Sequence, residues 1–158
     1  MADTLKYTCE QCIHICQPDL SFVPPELFRN ADIIRRDLAE LVSAASGERE
    51  KSVTILAGCA FESILYTFIL AQANFISARR GTFQFNSGAA LDNFVSIFNK
   101  WFIAVLPEAA IPEVVVRYRD LVHINREIAY PADICSRAAR EMLALLNNLL
   151  RNLSQFTP

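Results

Sequence analysis

Apolar residues recur at intervals of three and four along most of this chain, the spacing of an α-helix with one buried face. Leu27, Ala31, Ile34, Leu38, Leu41 and Ala45 form the clearest stripe. Pro24-Pro25-Glu26 opens it, because proline suits a first helical turn, and Gly47 follows its end. A second stripe joins Leu91, Phe94, Val95, Phe98, Trp101, Phe102 and Val105, with Ser87 placed to cap it. A third, from Asp133 to Leu153, carries Ile134, Ala138, Met142, Leu145, Leu146, Leu149 and Leu153. The most apolar stretch predicts one helix over Glu48 to Ser77, and Arg79-Arg80-Gly81 begins a loop that lasts to Asn86-Ser87-Gly88. A further helix is expected near Thr4 to Cys16, stopped by Gln17-Pro18-Asp19. Another opens at Pro112 and breaks around Pro131, since the residue before proline avoids the helical region. No run alternates as a strand would. The pattern predicts an all-α fold, an up-and-down bundle of about five to six helices forming a single domain over residues 1–158.

Composition sharpens this picture. A chain of 158 residues buries enough surface to need no disulfide or metal. With 53% apolar and 20% charged residues it is not a disordered chain. Its 4 glycines argue against a fold of many tight turns and against a glycine-rich phosphate loop. The net charge of −2 supplies no overall basic field for nucleic acid. Five cysteines, and a start at Met1-Ala2-Asp3-Thr4-Leu5-Lys6 without a basic-then-apolar pattern, lead us to expect a cytoplasmic protein with free thiols. The stretch Val53 to Ile76 is long enough to span a bilayer. It carries Glu62 near its middle, with Thr54, Ser63, Thr67, Gln72 and Asn74, so the expected reading is a buried core helix and no membrane.

Three constellations could carry chemistry. Cys9, Cys12, His14 and Cys16 have ligand types that suit zinc. No second ligand pair follows, and Cys9, Cys12 and Cys16 fall on one helical face, so a core stripe is preferred to a metal site. On the helix after Pro112, at about 100° per residue, Arg119, His123, Arg126 and Tyr130 gather on one flank, away from the apolar face of Val114, Val115, Tyr118, Leu121, Val122, Ile128 and Ala129. Two guanidiniums, an imidazole and a phenol could bind phosphate or exchange protons. On spacing alone the preferred reading is a solvated face paired with Asp120, Glu127 or another helix. Asn125 falls on the apolar face, where a buried amide needs a partner on a neighbouring helix or a second subunit. Glu62 is the only ionisable group between Val53 and Ile76, and a structural ion pair is the expected reading. No cofactor is implied.

Two stretches resemble the HEPN superfamily, the higher eukaryotes and prokaryotes nucleotide-binding domain. Ala57-Gly58-Cys59-Ala60-Phe61-Glu62-Ser63-Ile64-Leu65 is similar to a family helix with small residues and a glutamate before apolar positions. Tyr118-Arg119-Asp120-Leu121-Val122-His123-Ile124-Asn125-Arg126-Glu127-Ile128-Ala129-Tyr130-Pro131 resembles the family's hallmark region, and the order of helices matches over about residues 27–153. The resemblance implies an HEPN-like bundle and a homodimer, with RNA, a nucleotide or a partner protein as ligand. Active relatives are metal-independent ribonucleases in which an arginine grips the scissile phosphate and a histidine assists proton transfer. When Ala129-Tyr130-Pro131 is aligned on that motif, Asn125 stands at the arginine position, Arg126 at the polar position and Tyr130 at the histidine position. An amide makes no charge-assisted fork to phosphate, and a phenol is a poor base at neutral pH. The expectation is a binding or assembly domain without nuclease chemistry. The alternative is an endoribonuclease whose site is rebuilt from Arg119, His123, Arg126 and Tyr130.

Overall fold

The computed structural model describes residues 11–80, 88, 90–122, 131 and 133–157. Among these the chain is all-α, with no strand and seven α-helices. They are α1 (Ile13–Cys16), α2 (Phe28–Ser46), α3 (Glu50–Ala71), α4 (Ala73–Arg80), α5 (Leu91–Phe102), α6 (Val114–Arg119) and α7 (Ile134–Ser154). Short 3₁₀ turns at Pro25–Leu27, Pro107–Ala109 and Asp120–Val122 precede α2, link α5 to α6 and follow α6.

The amphipathic stripes bury as their spacing demands. Ala31, Ile34, Leu38, Leu41 and Ala45 line the inner face of α2, while Leu27 sits half-buried in the turn before it. Ile134, Ala138, Met142, Leu146, Leu149 and Leu153 do the same on α7. On α5 the buried set ends at Phe102, with Trp101 half-buried and Val105 exposed beyond the helix end.

The centre of the bundle is α3, which packs on α2, α5, α6 and α7. It is the described helix long and apolar enough to cross a membrane by length and composition alone. Eleven of its 22 residues are buried, from Val53 to Ile69. Its buried hydroxyls have hydrogen-bond partners. Thr54 Oγ1 donates to the Glu50 carbonyl at 3.0 Å, and Thr67 Oγ1 accepts from Asn30 Nδ2 at 3.2 Å. Near the far end, Phe68 meets Phe22, Phe98, Phe102 and Phe156 with ring centroids 4.9–5.8 Å apart. Burying one such ring stabilises a fold by about 1.5–3 kcal/mol, and offset or edge-on pairs add about 0.5–1.5 kcal/mol each.

Several expected boundaries shift. The single helix expected over Glu48 to Ser77 begins at Glu50 and is interrupted at Gln72. Gln72 leaves the helical region with φ −99° and ψ 13°, although its N–H still reaches the Phe68 carbonyl at 2.9 Å. Beyond it, Phe75 stacks on Phe102 at 5.5 Å. The backbone at Arg79 and Arg80 therefore closes α4 and does not start the loop. The N-cap of α5 is Ala90 and not Ser87, which lies outside the described residues. At the N-terminus Gln11 and Cys12 form a turn and helix begins at Ile13, while the rest of the expected helix lies outside the described residues.

The link between α5 and α6 is held by Asn99. Its amide donates to the Ile111 carbonyl at 2.8 Å and accepts from the Ile111 N–H at 2.9 Å, a two-point clasp that fixes where α6 starts. The α2–α3 turn is a Schellman motif. The Glu48 N–H donates to the Ala45 carbonyl and the Arg49 N–H to the Ala44 carbonyl, both at 3.1 Å. The left-handed position falls on Glu48, at φ 53°, one residue past Gly47, whose φ is −88°. A residue with a Cβ is strained there. Glu48→Gly should raise stability by about 0.5–1 kcal/mol in urea unfolding, because relief of strain exceeds the added freedom of the unfolded chain. A fall in stability would contradict this account of the turn.

Candidate functional site

The two stretches that carry the family resemblance meet where α6 crosses the first half of α3. The crossing is close because α3 has Gly58 at the contact. A Cβ built on Gly58 would lie 2.7 Å from Arg119 Cγ and 3.0 Å from Arg119 Cβ. A glycine inside a helix costs about 1 kcal/mol relative to alanine, so its presence there calls for a packing reason, and the stem of Arg119 is that reason.

The head of Arg119 then falls among carboxylates. Nη2 lies 3.5 Å from Glu62 Oε2, one helical turn along α3 from Gly58, and Nη1 lies 3.7 Å from Asp120 Oδ1. The three side chains are half-buried, 39%, 36% and 38% exposed respectively. Glu62 thus forms an ion pair at the edge of the bundle and not in its depth. Exposed pairs of this kind contribute about 0–1 kcal/mol each.

A polar chain continues from this point to α2. Asp37 is only 12% exposed in its side chain, so its charge must be compensated. Asp37 Oδ1 accepts from Arg36 Nη2 at 2.6 Å and Nε at 3.0 Å, and Oδ2 lies 2.8 Å from Ser63 Oγ. The Ser63 hydroxyl is also 2.7 Å from the Cys59 carbonyl, so its one proton serves two acceptors. Cys59 sits between these groups. Loss of water around its thiol raises its pKa most, the Asp37 and Glu62 carboxylates raise it further, and Arg119 opposes them. On the other side of α6, the Tyr118 hydroxyl donates to Glu141 Oε2 of α7 at 2.8 Å, and burial followed by that carboxylate pushes the phenol upward.

Of the polar stripe, Arg119 is described, whereas His123, Arg126 and Tyr130, and with them Asn125 of the apolar face, lie outside the described residues. The expected geometry also changes before them. The chain tightens into a 3₁₀ turn at Asp120–Val122, where each residue advances about 120° instead of 100°. A reckoning at constant α-helical pitch from Arg119 to His123 therefore does not apply. Val115 and Leu121 are buried as expected of the apolar face, with Val114 and Tyr118 half-buried.

The cysteine constellation divides in the same way. Cys12 is buried, His14 and Cys16 are half-buried, and Cys9 lies outside the described residues. The buried positions of this segment are Cys12 and Ile15, and the His14 backbone N–H donates to Asn147 Oδ1 on α7 at 2.9 Å. Among the described residues no three His, Cys, Asp or Glu side chains are grouped as a metal would require.

Two contributors to the site are not legible in the sequence, Gly58 as a seat for Arg119 and the Asp37–Ser63 bond, whereas Asp120 is one of the partners the spacing offered for this flank. A glycine within a run of apolar residues was the one available signal. No family model, no curated protein and no solved structure matches the chain.

Four outcomes check this geometry. Gly58→Ala should destabilise by about 1–3 kcal/mol, as overpacking does, despite its better helix propensity. Adding Arg119→Ala should recover part of that loss in thermal unfolding, because it removes Cγ but leaves Cβ. Alkylation of Cys59, followed by mass spectrometry against pH, should show a midpoint above the ordinary thiol range. Asp37→Asn should lower that midpoint part of the way, since one carboxylate opposing the thiolate is gone. A midpoint unmoved by Asp37→Asn would contradict the electrostatic part of the explanation.

Proposed function

We propose that this chain is an HEPN-like helical dimerisation and binding module without nuclease activity. It works in the cytoplasm, away from membranes, and its ligand bears phosphate, as RNA and nucleotides do. The observation that carries this reading is the state of Arg119, whose guanidinium faces Glu62 at 3.5 Å and Asp120 at 3.7 Å. A nuclease site rebuilt on Arg119 would need that guanidinium open to the scissile phosphate. Here the side chain of Arg119 is already balanced by carboxylates from its own chain. Asn125 and Tyr130, at the positions of the motif arginine and histidine, point the same way, because neither supplies the charge or the base that cleavage needs.

The test combines two measurements on the full chain. Light scattering at micromolar concentration should give a dimer. Incubation with structured and single-stranded RNA in the presence of EDTA should leave both intact. A monomer would overturn the assembly half of the reading. Metal-independent cleavage that disappears in His123→Ala would replace the binding module by an endoribonuclease built from Arg119, His123, Arg126 and Tyr130.

A further inference from the structure

A guanidinium that faces carboxylates cannot present the same N–H groups to a phosphate. Arg119 uses both terminal nitrogens in this way, Nη2 towards Glu62 and Nη1 towards Asp120. At 3.5 and 3.7 Å the contacts are longer than the roughly 2.7–2.9 Å of a charge-assisted hydrogen bond, and all three groups reach solvent. These are loose pairs, open to exchange. The base of the side chain is different. Cβ and Cγ lie against the backbone face that Gly58 leaves free, so the stem of Arg119 is seated there while its head reaches the rim. The Asp37 carboxylate on α2 is engaged by Arg36 and Ser63.

We propose that Glu62 and Asp120 form a built-in anionic latch on Arg119: they hold its guanidinium in the free protein and release it to a phosphate of the ligand. This inference rests on the reading of Arg119 as part of the ligand-binding face. The chain's own carboxylates then compete with the ligand, so the wild-type protein binds more weakly than its arginine alone would allow. Removing either carboxylate strengthens binding, and the gain passes through Arg119.

The experiment measures binding of a labelled single-stranded RNA oligonucleotide by fluorescence anisotropy at low salt. The proteins are wild type, Glu62→Gln, Asp120→Asn, Arg119→Gln and the pair Glu62→Gln/Arg119→Gln, each first shown to be folded by thermal unfolding. Glu62→Gln and Asp120→Asn should each tighten binding about three- to five-fold, the size expected for losing one exposed ion-pair partner. Arg119→Gln should weaken binding and erase the gain in the double variant. Unchanged or weaker binding by both single carboxylate variants overturns the latch, and so does a gain that survives Arg119→Gln, which would reflect net charge alone. If Arg119→Gln weakens binding but the carboxylate variants do nothing, the latch fails and the binding face stands. If Arg119→Gln binds as wild type does, or no protein binds RNA, both fall.

Discussion

A helix that is apolar on nearly every side has to be covered from every side, and α3 imposes that demand on the rest of this chain. Val53, Ala57, Ala60, Phe61, Ile64, Leu65, Phe68 and Ile69 are fully buried on it, more than one neighbouring helix could cover. Helix α2 returns on it through a tight turn, α5 and α6 cover further faces, and α7 closes the bundle. Each of these partners is amphipathic or short, so none is stable without α3 to bury its apolar face. The two polar side chains buried in α3, Thr54 and Thr67, have hydrogen-bond partners, which keeps the centre free of uncompensated polar atoms.

Much of this was legible in the pattern of residues, for a physical reason. Helices α2, α5 and α7 each pack one face on the core, so their apolar positions repeat at three and four and their extents can be read to about three residues. Where structure depends on residues distant in sequence, the pattern is silent. Gln72 interrupts the central helix without a proline or glycine to signal it. The turn at Asp120–Val122 tightens to 3₁₀ in a stretch whose composition suits an ordinary helix. Phe156 joins the phenylalanine cluster from beyond the end of α7, and no periodicity reaches it. At the α2–α3 turn the glycine is present, yet the left-handed residue is the glutamate after it.

The candidate site shows the same division. That Glu62 needs a cation followed from its isolation in an apolar stretch. That the cation is Arg119 required the fold, because 57 positions separate them (119 − 62) and only the crossing of α3 and α6 brings them together. The Asp37–Ser63 bond likewise spans 26 positions and joins two helices. Sequence can nominate residue types for a chemistry, but ion pairs between helices are products of packing. The Arg119 flank is therefore best understood as a seam: a stem lodged over a glycine, a charged head at the rim, and carboxylates contributed from both sides.

The two ends of α3 serve unlike purposes. Gly58 and Phe68 are ten residues apart, about 15 Å along the helix axis. Aromatic anchoring gathers at one end and exchangeable charge at the other. Substitutions that recolour the charged rim leave the anchoring rings untouched, so the scaffold can absorb changes of surface charge without unfolding. Such a separation gives a small bundle latitude to diversify its surface while one greasy rod keeps its shape.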